Sequence, residues 1–176
     1  MLPLAPQRHP RQASVTLSRP PAVLQTQGML EPRFTLEYYQ DPDGDEPVRR
    51  WIFSGLDGHK RRAIVLALKH ILGAQGIDVC RTEYGRHLGQ GLFEFRLRHD
   101  EAELRRRLRL DVPPVCSETE RVLLRVFCHA HGSRIVLLLA AYDKGADPSK
   151  KRQQREIATA RRRLRDFRSR GTHRRP

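Results

Sequence analysis

Arg96 and Arg125 stand where a phosphate can be held. They fall in the segments Leu92-Phe-Glu-Phe-Arg96 and Val122-Leu-Leu-Arg125-Val-Phe. Each lies in a register that sends its neighbouring apolar residues to the opposite face of a strand. Two guanidiniums on facing strands suit the charge that develops at phosphorus, because their N–H groups pair bidentately with phosphate oxygens. The same positions also fit exposed strand arginines, or partners for Glu94 and Glu120. Tyr142 and Lys144 close a later strand, where they can orient a hydroxyl or stack on a base. Tyr142 equally suits a sheet-edge aromatic. Arg98, Lys150, Lys151, Arg152 and Arg155 are candidates for contact with a nucleic-acid backbone.

Other reactive types are less well arranged. His129 and His131 form a His-x-His at a strand end, which fits a base, a metal pair or solvated hairpin residues. Cys80, Cys116 and Cys128 are odd in number and far apart. They form no disulfide framework and no CxxC clasp, and they fit a reducing compartment. Trp51 fits core packing. With neither paired carboxylates nor a His-rich signature, no metal and no cofactor is expected.

These groups need a scaffold. Phe34, Leu36 and Tyr38 alternate as in a strand, and Asp41-Pro-Asp-Gly-Asp is a turn. Pro47 then opens a short helix with Val48, Trp51 and Ile52 as its stripe, capped by Asp45 or Glu46. Asp57 caps a longer helix to about Leu72, stopped by Gly73 and Gly76. The two make a helical hairpin. Strands follow at 91–98, 121–129 and 135–143, with a charged helical excursion at 101–110 and a loop at 112–115. The last strand is apolar on both faces, as a central strand would be. A final helix, 150 to about 168, carries the single stripe Ile157, Ala160, Leu164 and Phe167 on a basic cylinder. The order β-α-α-β-β-β-α predicts an α+β domain: a small antiparallel sheet with an N-terminal helical hairpin and a C-terminal basic helix. Residues 1–32, rich in Pro, Gln and Ser, read as a disordered extension, 33–168 as the domain and 169–176 as a basic disordered tail. Met29, just ahead of the first strand, is an alternative start to Met1.

Charge position narrows the function. The chain has 176 residues and a formal net charge of +14. Residues 1–32 and 33–143 each carry only +2, whereas 144–176 carry +10. Such asymmetry points to a polyanionic partner. The longest uninterrupted apolar run, Ile135 to Tyr142, has eight residues, short of the ~20 a membrane span needs. No signal-type h-region opens the chain. A cytoplasmic protein with no membrane partner is expected.

Five segments, in order, carry a resemblance. They are Leu92-Phe-Glu-Phe-Arg96, Val122-Leu-Leu-Arg125-Val-Phe, Ile135-Val-Leu-Leu-Leu, Tyr142-Asp-Lys144 and Arg155-Glu-Ile-Ala-Thr-Ala-Arg-Arg-Arg-Leu164. With Phe34-Thr-Leu-Glu-Tyr-Tyr and Pro47-Val48, the stretch 33–168 resembles the phage-derived, HigB-like branch of the RelE/ParE toxin superfamily. The resemblance implies a RelE-like sheet-and-helix fold and a cytoplasmic bacterial toxin of a type II toxin–antitoxin system. It also implies a cognate helix-turn-helix antitoxin. RelE and HigB members cleave mRNA on the ribosome without a metal; ParE members poison DNA gyrase. Cleavage by 2′-OH attack needs a base, cations for the phosphorane and an acid for the 5′ oxygen, and Arg96, Arg125, Tyr142 and Lys144 are the candidates. The chain departs from the family in its first 32 residues, in a longer 100–119 segment and in a longer link after Tyr142. It also has Ala140 and Ala141 where many relatives carry a strand His. That departure keeps open a second reading, a non-catalytic binder on the same fold: a gyrase-type inhibitor or a nucleic-acid-binding phage remnant.

Overall fold

The computed structural model describes residues 32–110 and 122–172. The expected N-terminal extension with Met29, the 112–115 loop, Cys116, Glu120 and Arg121 lie outside the described residues. The architecture is α+β: one five-stranded sheet with helices on both faces. Strands β1 (Thr35–Tyr38), β2 (Gly85–Gly89), β3 (Leu92–Leu97), β4 (Leu124–His131) and β5 (Ile135–Asp143) run in the spatial order β1-β5-β4-β3-β2.

The sheet is mixed, which corrects the antiparallel expectation. β1 pairs parallel with β5, Thr35 opposite Ile135 and Tyr38 opposite Leu138, while all other pairs are antiparallel. A parallel neighbour needs a long crossover, and everything from the first helix to β4 supplies it. β2 was not expected: its sequence, Gly-Arg-His-Leu-Gly, is weak in strand formers. Gly85 permits it, because a Cβ there would lie 2.5 Å from the Val79 and Cys80 backbone.

Helix α1 (Pro47–Arg50) has Pro47 in its first turn and continues through a π-helical turn, Trp51–Gly55. Asp57 then caps α2 (Gly58–Ala67), its Oδ1 accepting the Lys60 N–H at 2.8 Å. A π-helical turn (Leu68–Leu72) and α3 (Gly73–Gln75) extend α2 past Gly73. Gly76 is the true stop: its φ is +56°, and a Cβ there would strike the Phe34 ring at 2.6 Å. A 3₁₀ segment (Gly76–Arg81) follows. The stretch Gly58–Arg81 is long and apolar enough to cross a membrane by length and composition, its most apolar window having a mean hydropathy of 1.5 although charged residues interrupt it. Of its most apolar window 61% is buried inside the fold, as in a core helix. The excursion is helix α4 (Glu101–Arg107), capped by Asp100. Ser149 Oγ accepts the Arg152 N–H at 3.1 Å to start α5 (Lys150–Thr172). α5 thus runs into the segment read as tail; 173–176 lie outside the described residues.

Each face of the sheet has its own core. Phe93, Phe95 and Leu97 of β3, Leu124, Val126 and Cys128 of β4, and Val136 and Leu138 of β5 pack against α1 and α2. On the other face Leu92, Phe127, Leu137, Leu139, Ala140 and Tyr142 meet the α5 stripe of Ile157, Ala160 and Leu164. A bulge opposite Phe127 and Cys128 inserts one extra β5 residue. It turns Leu139 and Ala140 to the same cluster and shifts all later pairing by one place.

Candidate nucleic-acid interface

The bulge assembles the site. Beyond it Arg125 pairs with Tyr142, and across the next ladder Arg125 pairs with Arg96. Without the extra residue, Ala141 would stand beside Arg125. Directly opposed residues share a face, so Arg96, Arg125 and Tyr142 form one row across β3, β4 and β5 on the α5 side.

Each member is held differently. Arg125, only 4% exposed, places Nε 3.5 Å from Glu94 Oε1. Its Nη1 donates to the Leu124 carbonyl at 2.9 Å and the Leu97 carbonyl at 3.4 Å. Burial pulls its pKa below the ordinary arginine value, with Glu94 pulling the other way. Glu94, 1% exposed, also accepts from Gln153 Nε2 of α5 at 3.0 Å. Arg125 is therefore engaged by Glu94, as one of the sequence alternatives allowed. Arg96 is half-buried; its Nη2 donates to the Gly85 carbonyl at 2.7 Å, and its Nε, also buried, has no partner. Tyr142 is 1% exposed, its ring parallel to Phe127 at 6.1 Å, and its hydroxyl is unpartnered. Burial, then the nearby Glu94, raises its pKa, so it is a neutral phenol at neutral pH.

Arg152 covers the row. Its guanidinium stands 5.9 Å over the Tyr142 ring and 3.0 Å from Glu156, while its Nε is buried without a partner. Arg96 Nε, Tyr142 Oη and Arg152 Nε are thus three sequestered N–H or O–H groups lacking acceptors. Buried donors normally find partners, and a phosphate offers acceptors only. α5 adds to this: its first turn holds cations and no acidic residue, whereas the positive end of a helix favours anions.

The remaining candidates lie around this row. Arg98 is exposed just past β3. Lys144, half-buried, follows β5 and donates its backbone N–H to the Leu123 carbonyl at 2.7 Å. Lys150, Lys151 and Arg155 are exposed on the first turns of α5. Elsewhere, His129 Nδ1 lies 2.7 Å from the Gly91 carbonyl, and its ring is 6.3 Å from that of His131, at the far end of β4. Burial lowers the His129 pKa. Among the described residues no three His, Cys, Asp or Glu side chains cluster as metal ligands. Burial raises the Cys80 and Cys128 thiol pKa values, so both are poor nucleophiles.

Sequence reasoning allowed Glu94 as the partner of Arg125 but missed Gln153, which holds Glu94 from α5. Glu94 carried a signal: it is the one acid within Leu92-Phe-Glu-Phe-Arg96. Gln153 carried none. No family model, curated protein or solved structure matches the chain.

Proposed function

We propose that this chain is a RelE-like toxin of the HigB type, a cytoplasmic, ribosome-dependent and metal-independent mRNA endonuclease restrained by a helix-turn-helix antitoxin. The observation that carries the reading is the cluster of buried donors without acceptors, Arg96 Nε, Tyr142 Oη and Arg152 Nε, beside the exposed cations at the start of α5. The order of the resembling segments supports it. In this reading Arg96, the member with solvent access, meets the scissile phosphate. Arg98, Lys144, Lys150, Lys151 and Arg155 hold flanking phosphates. Arg125 acts through Glu94 and the row as a positioning residue. Tyr142 can deliver a proton to the 5′ oxygen only when the first turn of α5 lifts from it.

The test is induced expression in a bacterial host, with growth and transcript 5′ ends mapped together. Wild type is expected to arrest growth and introduce new in-frame mRNA cuts. Arg96→Ala is expected to lower cleavage by about 10²–10³-fold, the typical effect of removing one charge-stabilising donor. Cuts that persist unchanged in Arg96→Ala refute its assignment.

A second reading is favoured by the near-complete burial of Arg125 and Tyr142: a non-catalytic binder that presents its cations to nucleic acid or gyrase. Growth arrest without cuts selects the gyrase form. Salt-sensitive RNA binding without cleavage or arrest selects the nucleic-acid form.

A further inference from the structure

We propose that the cleft flanking the arginine row is a nucleobase subsite selective for guanine. The proposal rests on the RNA-directed reading above and deepens it. The cleft encloses about 310 Å³ between the α1–α2 junction, the end of β5 and the start of α5, and its walls include Trp51, Asp57, Lys60, Asp143, Asp147 and Arg152. That volume sits at the lower end of the ~300–1,000 Å³ range of small-ligand sites.

Three observations define the ligand. Carboxylates outnumber cations here, in a protein of net charge +14. Carboxylates accept hydrogen bonds and repel phosphate, so the cleft reads donor groups. Lys60 Nζ lies 3.3 Å from Asp57 and 3.2 Å from Asp143, so these two are partly neutralised. Asp143 Oδ1 also accepts the Gly145 N–H at 2.7 Å. Asp147 takes its hydrogen bonds from Ser149, whose N–H lies 3.0 Å from Oδ1; with two oxygens and roughly four lone-pair sites, the carboxylate keeps room for two further donors. Second, Trp51 supplies an aromatic wall of the kind on which unpaired bases stack. Third, Arg152 belongs to both places. It lines the cleft, stands over Tyr142 and holds an unpartnered Nε. A nucleotide with its base in the cleft brings its phosphate to Arg152 and the row. Among the four RNA bases only guanine presents two adjacent N–H donors, N1–H and the N2 amino group, matching the two oxygens of a carboxylate. Adenine and cytosine pair one amino donor with an acceptor, and uracil sets one N–H between two acceptors.

The sole tryptophan of the chain makes the test direct. The full chain, ¹⁵N-labelled, is titrated with 5′-GMP, AMP, CMP and UMP while the Trp51 indole N–H resonance is followed. GMP is expected to move that resonance with a Kd at least tenfold below the other three. Asp147→Asn keeps the Oδ1 acceptor for Ser149 and is expected to erase the tenfold preference. Equal response to all four nucleotides, no response to GMP, or an unchanged preference in Asp147→Asn overturns the subsite. RNA-oligonucleotide binding measured in parallel separates the two proposals. RNA binding without a GMP response removes the subsite and leaves the interface. GMP selectivity with neither RNA binding nor cleavage keeps the subsite and removes the endonuclease.

Discussion

The two faces of the sheet obey different rules. The face under α1 and α2 is apolar at its centre, with Phe93, Phe95, Leu97, Val126 and Leu138 sealed from solvent and its polar residues, such as Asp143 with Lys60, at the ends of its strands. The face under α5 shares the same strands, yet buries Glu94 and Arg125 beside Leu92, Phe127 and Tyr142. A buried ion pair rarely improves stability over an apolar pair of similar size. One face therefore holds the molecule together, and the other trades stability for a fixed array of charge.

That contrast can be broken or sharpened by substitution. The largest effect is expected for Phe95→Ala, on the apolar face. Phe95 is fully buried and stacks near Tyr84 at 6.4 Å, so its loss should cost about 3–5 kcal/mol in urea unfolding. A cost below 1 kcal/mol would mean that this face is not the main core. Next is Glu94→Ala, on the charged face, which strands Arg125 and should cost roughly 3–5 kcal/mol. The double change Glu94→Leu with Arg125→Met should recover most of that loss, while the proposed RNA cleavage, wherever wild type shows it, should stay low. Failure to recover would make the pair a stabilising element and erase the contrast.

A smaller effect concerns Glu101, packed beyond the apolar face. Burial alone would raise its carboxyl pKa, but hydrogen bonds from Arg105 at 2.8 Å and Arg62 at 2.9 Å outweigh this and leave it lowered. A lowered folded-state pKa gives stability that is present above the unfolded value, near ~4.3. That stability is lost as pH falls through the folded-state value. Glu101→Gln should therefore destabilise the protein at pH 7, with the difference shrinking in acid. A gap that widened below pH 4 would contradict the assignment. The smallest effect is expected on the surface. Lys150→Ala and Lys151→Ala should each lower the slope of log K against log salt by about 1 with little change in unfolding. Unchanged slopes would take these lysines out of the interface.

Much of this was legible in the sequence because alternation is local. β1, β3, β4 and β5, the cap at Asp57, and the α5 stripe all follow from residue types a few positions apart. β2 was illegible because Gly85 serves close backbone approach and Gly89 a φ of +80°, neither of them strand propensity. The candidacy of Arg96 and Arg125 could be read from strand register. Their different exposure could not, since it depends on where α5 lies and on Gln153 reaching Glu94 from 59 residues away. The bulge that brings Tyr142 to Arg125 leaves no mark in an unbroken apolar run.

The parallel pairing of β1 with β5 also bears on how the chain is made. Thr35 finds its partner Ile135 about a hundred residues later, a separation that raises contact order and slows closure of the sheet. On a translating ribosome the first strand to emerge is thus the last to be paired. Until β5 has left the exit tunnel, β1 has no neighbour, because β5 is the strand that joins it to β4 and the rest of the sheet. Because Tyr142 arrives on β5 as well, the arginine row also stays incomplete until then. Sheet closure and completion of the row are thus one event, late in the synthesis of the chain.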